Sequence, residues 1–193
     1  MRVLAINGSR RQNGNTSYLI QSLLAPLEQA GVTSEIIVLG DYRIEACTGC
    51  EACSDSWDCV IRDDFSALVS RMDAADAVIL ASPTYWYSVT SDMKRFVDRC
   101  YSLIRYPRSR REWIGKYQGT GKVCVTAAVC EQSDPTMMGN TLTLLSDFAR
   151  DIGLDLEDSV KALGFFSAGS IKEGRDVLGK AERVGERLLR RLK

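Results

Sequence analysis

Four of the seven cysteines fall in one short segment, Cys47-Thr-Gly-Cys50-Glu-Ala-Cys53-Ser-Asp-Ser-Trp-Asp-Cys59, with two, two and five residues between them. Thiolates this closely spaced can surround an iron–sulfur cubane, and a Cys-x-x-Cys-x-x-Cys start matches bacterial cluster binders, whose last ligand is often elsewhere. Zinc held by four sulfurs is a second reading, although its ligands usually come as two separated Cys-x-x-Cys pairs. Free thiols shaping a loop are the third, and spacing alone leaves all three open. The chain has no histidine, which removes serine–histidine–aspartate triads, histidine-ligated haem, histidine zinc sites and imidazole acid–base catalysis together. Cys100 falls on a helical face and Cys124 in a strand, which makes them core thiols, and Cys130, just after a strand, reads as a buried thiol with approach to a ligand as the alternative.

Two further stretches carry binding chemistry. Gly8-Ser9-Arg10-Arg11-Gln12-Asn13-Gly14-Asn15-Thr16-Ser17 follows an apolar run and leads into a helix. Unpaired N–H groups at a helix start, with the positive end of its dipole, attract an anion. Ser9, Asn15, Thr16 and Ser17 add hydroxyl and amide groups, and Arg11 a charge. The stretch lacks the Gly-Lys-Ser/Thr of a nucleotide triphosphatase loop and the G-x-G-x-x-G dinucleotide pattern; a simple capped β–α turn is the plainer reading. Farther on, Ser82-Pro83-Thr84-Tyr85-Trp86-Tyr87-Ser88-Val89-Thr90 places three consecutive aromatics after a strand. They offer a flat wall for a planar ring such as a flavin, with backbone groups of Thr84 and Tyr85 for its polar edge. Packing over an interface is the alternative.

The elements that must position these loops alternate. Apolar runs at Val3–Ile6, Ser34–Leu39, Ala77–Ala81 and Val123–Ala128 read as strands, with a fifth within Leu154–Phe166. Leu19, Leu23 and Leu27 share a helical face, as do Met93, Phe96, Val97 and Cys100, then Leu142, Leu145, Phe148 and Ala149. From Gly174 onward, Val177, Ala181, Val184 and Leu188 mark a closing helix. Continuous apolar strands with helical crossovers predict an α/β fold whose parallel sheet is covered on both faces. The 25 basic and 25 acidic residues balance, which argues against nucleic acid or an anionic membrane as partner. Neither a signal peptide nor a membrane-spanning run is apparent, so a cytoplasmic location is expected.

Together the three segments resemble the NADPH-dependent FMN reductase family of flavodoxin-like proteins, and within it the iron–sulfur flavoproteins. Met93-Lys94-Arg95-Phe96-Val97-Asp98-Arg99 resembles the helix after the ring loop, and Val60-Ile61-Arg62-Asp63-Asp64-Phe65 the end of the cysteine segment. The resemblance implies a flavodoxin-like three-layer α/β/α sandwich with a five-stranded parallel sheet, one FMN-binding domain over 1–193 and a cysteine-rich insertion at 47–59. It implies FMN phosphate at Ser9, Arg11, Asn15, Thr16 and Ser17, ring contacts from Pro83, Thr84, Tyr85 and Trp86, and a 4Fe–4S cluster on Cys47, Cys50, Cys53 and Cys59. Arg10 stands where a proline is common in the family and Tyr87 where a glycine is common.

The function so implied is an FMN-dependent oxidoreductase that moves electrons from NAD(P)H or a ferredoxin-type partner to a small acceptor such as a flavin, quinone or oxygen species. A non-enzymatic FMN electron carrier is the alternative, and a zinc-stabilised binding module a remote third. Arg105, Arg108, Arg110 and Arg111 could meet an acidic ferredoxin or the extra phosphate of NADPH, or lie in a solvated loop or subunit contact. A homodimer or homotetramer is expected from the resemblance, with Trp57, Trp113 and the 104–121 segment contributing surface.

Overall fold

The computed structural model describes Met1–Lys193. Five parallel strands form the central sheet: β1 (Arg2–Asn7), β2 (Thr33–Val38), β3 (Ala77–Pro83), β6 (Val123–Cys130) and β7 (Asp155–Leu163), in the order β2-β1-β3-β6-β7. Helices α1 (Asn15–Gln29), α2 (Phe65–Ala74), α3 (Ser91–Arg99), α4 (Thr141–Asp151) and α5 (Arg175–Leu192) connect and close it. A short antiparallel hairpin, β4 (Ile104–Arg105) with β5 (Ile114–Gly115), stands apart from the sheet.

The side-chain alternation of the strands splits the core in two. Val3 and Ala5 of β1, Ile79 of β3 and Val125 of β6 pack with Leu19, Leu23 and Leu27 of α1 and Ala181, Val184 and Leu188 of α5. Leu4, Ile6, Val78 and Leu80 point the other way, onto Phe65, Leu68 and Met72 of α2, Met93 and Phe96 of α3, and Leu145 and Phe148 of α4. A parallel sheet with both faces covered has no polar face, which is why β1 and β3 read as unbroken apolar runs. Helices α1 and α5 approach closely because residue 185 is glycine: a Cβ there would lie 2.2 Å from the Leu23 carbonyl oxygen.

The expected strands are present: β3 and β6 begin where expected, at Ala77 and Val123, and the other ends of the first four differ by one or two residues. Leu39 leaves β2 for a single 3-10 turn over Leu39–Asp41, and β3 runs on to Pro83. Cys100, Cys124 and Cys130 are buried, as their positions predicted. Two elements have no counterpart in the sequence reading: α2, which begins six residues after Cys59, and the β4–β5 hairpin inside the arginine-rich stretch. No helix is long and apolar enough to cross a membrane.

Candidate functional site

In a sheet of this order the connection from β1 returns on one face and that from β3 on the other, which opens a crevice beyond the carboxyl ends of these two neighbouring strands. The glycine-, serine- and arginine-containing loop leaves β1 there, and the aromatic loop leaves β3 beside it. Ser9, Arg11, Asn15, Thr16, Pro83, Thr84 and Tyr85 line one cleft, with Val129, Glu131, Phe165 and Phe166. Its enclosed volume is about 110 Å³, below the roughly 300–1,000 Å³ of pockets that swallow a whole ligand. It can house one end of a ligand and leave the rest on an open rim. That rim is aromatic, since Tyr85, Trp86, Tyr87 and Phe166 are all exposed, Trp86 at 93%. A larger groove of about 470 Å³ between α3 and α4 is lined by none of the candidate ligands.

The phosphate-type loop is built from the strand outward. The Asn7 side chain accepts from the Ser9 N–H at 2.9 Å and donates to Ser17 Oγ at 3.1 Å, so it links the strand end to the first turn of α1. Gly14 caps α1 without a side-chain bond, and the first N–H groups of the helix have no intrahelical acceptor. Ser9 and Thr16 are buried there. Arg11 donates to the Phe166 carbonyl at 2.8 Å and lies 5.1 Å over the Phe166 ring. Asn15 spends its amide on the 165–171 segment, donating to the carbonyls of Phe165 and Ser167 and accepting from the Ile171 N–H. Asn15 therefore fixes a wall of the cleft, and what it offers an anion is its backbone N–H. Ser17 stands behind the cleft, bonded to Asn7. Arg10 turns away to Asp92, at 2.5 Å, where its guanidinium holds the carboxylate below the usual range while burial opposes it.

The aromatic loop is a two-residue hairpin. Tyr85 and Ser88 exchange backbone bonds of 2.8 and 3.1 Å, and between them Trp86 and Tyr87 have φ of 49° and 64°. Two consecutive left-handed residues make a type I′ turn, for which Asn-Gly is the favoured pair. The chain holds two aromatics there from behind: the Asn140 N–H donates to the Tyr87 carbonyl at 2.9 Å. Gly139, at φ 55°, lies so close that an added Cβ would come 2.3 Å from the Tyr87 oxygen. Thr90 caps α3, accepting from the Met93 N–H, and donates to the Gly8 carbonyl at 2.8 Å. Trp86 does not line the enclosed cleft; it stands out over its rim. The Thr84 hydroxyl is buried without a partner, a vacancy that a ligand hydrogen bond would fill. The orphaned hydroxyl, the free helix-start N–H groups and the aromatic rim fit FMN, with its phosphate inward and its ring outward.

Cys47, Cys50, Cys53 and Cys59 lie in a segment without helix or strand between Asp41 and Phe65. Cys47 and Cys50 are exposed, Cys59 half-buried and Cys53 buried. The Ala52 N–H and the Thr48 hydroxyl hold the Cys50 thiol below its ordinary value. Burial pushes Cys53 up, and the neighbouring Cys59, Cys50 and Cys47 add to that. The set is all thiol and so fits iron–sulfur chemistry in kind, but no three of the four converge into a group able to hold a metal. The sequence reading missed Asn7, Phe165, Phe166, Gly139 and Asn140. The first three sit at the carboxyl ends of β1 and β7, where the sheet-edge rule would have pointed; Gly139 and Asn140 carry no local signal.

The NADPH-dependent FMN reductase family profile matches residues 1–140. An iron–sulfur flavoprotein of Archaeoglobus fulgidus is 38% identical over 125 residues, 63% of this chain and 57% of that protein. One from Methanocaldococcus jannaschii is 36% identical over 103 residues, covering 53% of each. The chain thus spans little more than half the length of these relatives. Among solved structures, an NAD(P)H:quinone oxidoreductase from Methanothermobacter marburgensis superposes with a TM-score of 0.71 at 18% identity, over 97% of this chain and 98% of that one. An archaeal flavodoxin does so at 0.61 and 15%, over 100% and 99%. The fold is flavodoxin-like, and the chain belongs to the NADPH-dependent FMN reductase family.

Proposed function

We propose that the chain is an FMN-dependent oxidoreductase that takes electrons from NAD(P)H or a reduced ferredoxin-type partner and delivers them to a small acceptor, a flavin, quinone or oxygen species. The carrying observation is that the β1 and β3 loops meet in one cleft with an unpartnered, buried Thr84 hydroxyl inside it. When bound, FMN supplies the reversible hydride and electron chemistry, so no side chain need act as nucleophile or base. The protein's part is placement. Ser9, Thr16, Arg11 and the backbone N–H groups at the start of α1 hold the phosphate, and Pro83, Thr84 and Tyr85 meet the ring's edge. The type I′ turn carries Trp86 and Tyr87 over the rim, where Trp86 meets the flavin ring and a donor or acceptor would stack beside it.

The names of the curated relatives and the all-thiol donor set support a 4Fe–4S cluster, which Cys47, Cys50, Cys53 and Cys59 would hold. The exposed Trp113 and Ile114 on the hairpin support a homodimeric or homotetrameric assembly.

The test is to replace Arg11 and Thr16 together with alanine and measure FMN per purified chain. Full occupancy in the double variant would refute the phosphate assignment. Iron, acid-labile sulfide and FMN measured on anaerobically purified protein test the cluster: FMN without iron or sulfide leaves a plain flavin or quinone reductase. Flavin reduction by neither NADH nor NADPH in stopped flow would turn the reading to an electron carrier.

A further inference from the structure

Two features stand outside the flavin cleft, and each offers what the other lacks. The first is the groove of about 470 Å³ between α3 and α4. Val97, Leu144, Phe148 and Ile152 give it an apolar lining, beside three carboxylates, Asp98, Asp147 and Asp151, and one cation, Lys94. Lys94 pairs with Asp98 at 2.6 Å and Arg150 with Asp147 at 2.9 Å, which leaves the half-buried Asp151 without a cation. Burial and the neighbouring Asp147 push the Asp151 carboxyl above its ordinary value. A carboxylate in that setting is stabilised by an opposite charge carried on an apolar stem, which is what an arginine provides.

The second feature is the tip of the β4–β5 hairpin, whose inner side is already committed. The Arg105 guanidinium lies 4.2 Å over the Trp57 ring and Arg110 pairs with Glu51 at 2.6 Å, which fastens the hairpin to the cysteine segment. From the opposite side the buried Arg99 donates to Asp63 at 2.5 Å and to the Glu45 and Ile61 carbonyls at 3.0 and 3.3 Å, holding both stems of that segment. Arg108 and Arg111 are left over: both are exposed and neither makes an ion pair. Trp113 and Ile114 follow at 49% and 43% exposure, with Glu112 the one acid of the tip. Exposed apolar side chains rimmed by charge mark an interaction surface. Ile104, at the root of the hairpin, belongs to the groove wall, but no residue from 105 to 115 lines the groove. The tip therefore leaves the groove of its own chain empty.

We infer that the tip of one copy, through Arg108, Arg111, Trp113 and Ile114, seats in the α3–α4 groove of a second copy of this chain, and that the second tip does the same in return. The arginines meet Asp151 and Asp147, and the apolar pair meets the apolar lining. The inference rests on the homo-oligomeric assembly proposed above and names the two faces that join. Each copy carries both faces, so a two-fold axis satisfies both tips and both grooves and closes the assembly. Because the same hairpin grips the cysteine segment, assembly also steadies the seat of that segment.

Sedimentation velocity over a range of concentrations tests this on the full chain, for wild type, Asp151→Arg, the pair Arg108→Glu with Arg111→Glu, and a chain with all three substitutions. These side chains make no ion pair within the chain, and FMN content and melting temperature serve as controls for folding. Like charges brought together at an interface cost several kcal/mol, so each single-face variant is expected to dissociate about tenfold more readily or worse. The chain with all three substitutions, whose charges are exchanged, is expected to recover most of that loss. Unchanged assembly in either single-face variant, or no recovery when the charges are exchanged, overturns the docking and leaves an assembly through another face. A wild-type chain that is monomeric at every concentration overturns the assembly reading, and the docking with it.

Discussion

Trp86 is the most exposed aromatic of the chain, at 93%, and holds a left-handed backbone at φ 49°. We predict that Trp86→Gly stabilises the flavin-free protein. An L-residue in that region costs about 1–2 kcal/mol, which glycine removes. Glycine returns about 0.5–1 kcal/mol through its greater freedom in the unfolded chain. Burial lost with the indole is close to nothing because almost none is buried. The net gain is about 0–1.5 kcal/mol, or up to about 6 °C of melting temperature at the 2–4 °C per kcal/mol usual for this chain length. FMN binding should move the other way: losing a stacked ring worth about 0.5–1.5 kcal/mol weakens it roughly two- to tenfold. Thermal unfolding followed by circular dichroism on flavin-stripped protein, and a flavin fluorescence titration, read the two effects separately. A lower melting temperature in the stripped variant would sink the argument, because it would mean that the indole is held by packing and the turn is unstrained.

Gly139→Ala drives a Cβ into the Tyr87 carbonyl; we expect a loss of about 1–3 kcal/mol and weaker FMN binding, and unchanged affinity would show that the turn needs no support from behind. Asp63→Asn leaves the buried Arg99 charge uncompensated, and removing one partner of such a pair costs about 3–5 kcal/mol; an unshifted urea midpoint would contradict this. Asp63 and Asp92 are both held below the ordinary carboxylate value of 3.8: for Asp63, burial opposes and Arg99 with two backbone N–H groups outweighs it, whereas at Asp92 the Arg10 hydrogen bond leads. Because these folded values are depressed, the stability they add is present above 3.8 and is lost as pH falls through them. Urea midpoints measured down to acid pH should drop there for wild type and less for Asp92→Asn; parallel curves would refute the assignment.

Much of the fold was legible because it follows from local pattern. A strand buried on both faces is apolar along most of its length, as β1, β3 and β6 are, with the buried Thr126 of β6 hydrogen-bonded to Ser146 and Ser159. Helix α2 was legible and overlooked: Phe65, Leu68, Val69 and Met72 follow helical spacing, but they come directly after the cysteines and read as part of that segment. The cleft was half legible. Ser9, Arg11 and Thr16 meet Pro83 to Tyr85 because β1 and β3 are neighbours, a matter of strand order, while Phe165 and Phe166 come from the far end of the chain. What Asn15 does could not be read, since its partners lie some 150 positions away. The arginine-rich stretch was read as a docking or solvated surface, yet Arg105 and Arg110 reach back onto Trp57 and Glu51. The Arg105 guanidinium lies 4.2 Å over the half-buried Trp57 ring, and Arg110 pairs with Glu51 at 2.6 Å. Charge runs reveal no partner when the partner is non-local.

The stems of the cysteine loop have a further consequence. Arg43 and Asp64 are joined by the Arg43 N–H to the Asp64 carboxylate at 2.7 Å and the Asp64 N–H to the Arg43 carbonyl at 3.1 Å. The twenty residues between them leave and rejoin the body at one point, so the segment behaves as a cassette seated in a socket. Such a cassette can be cut out and the ends sealed by a short turn, because the exposed ends are already neighbours. Arg99 would then need replacing with an apolar residue, since its acceptors leave with the cassette. By the same geometry, the segment can be transplanted onto a relative of this fold if Arg99, Arg105 and Arg110 travel with it.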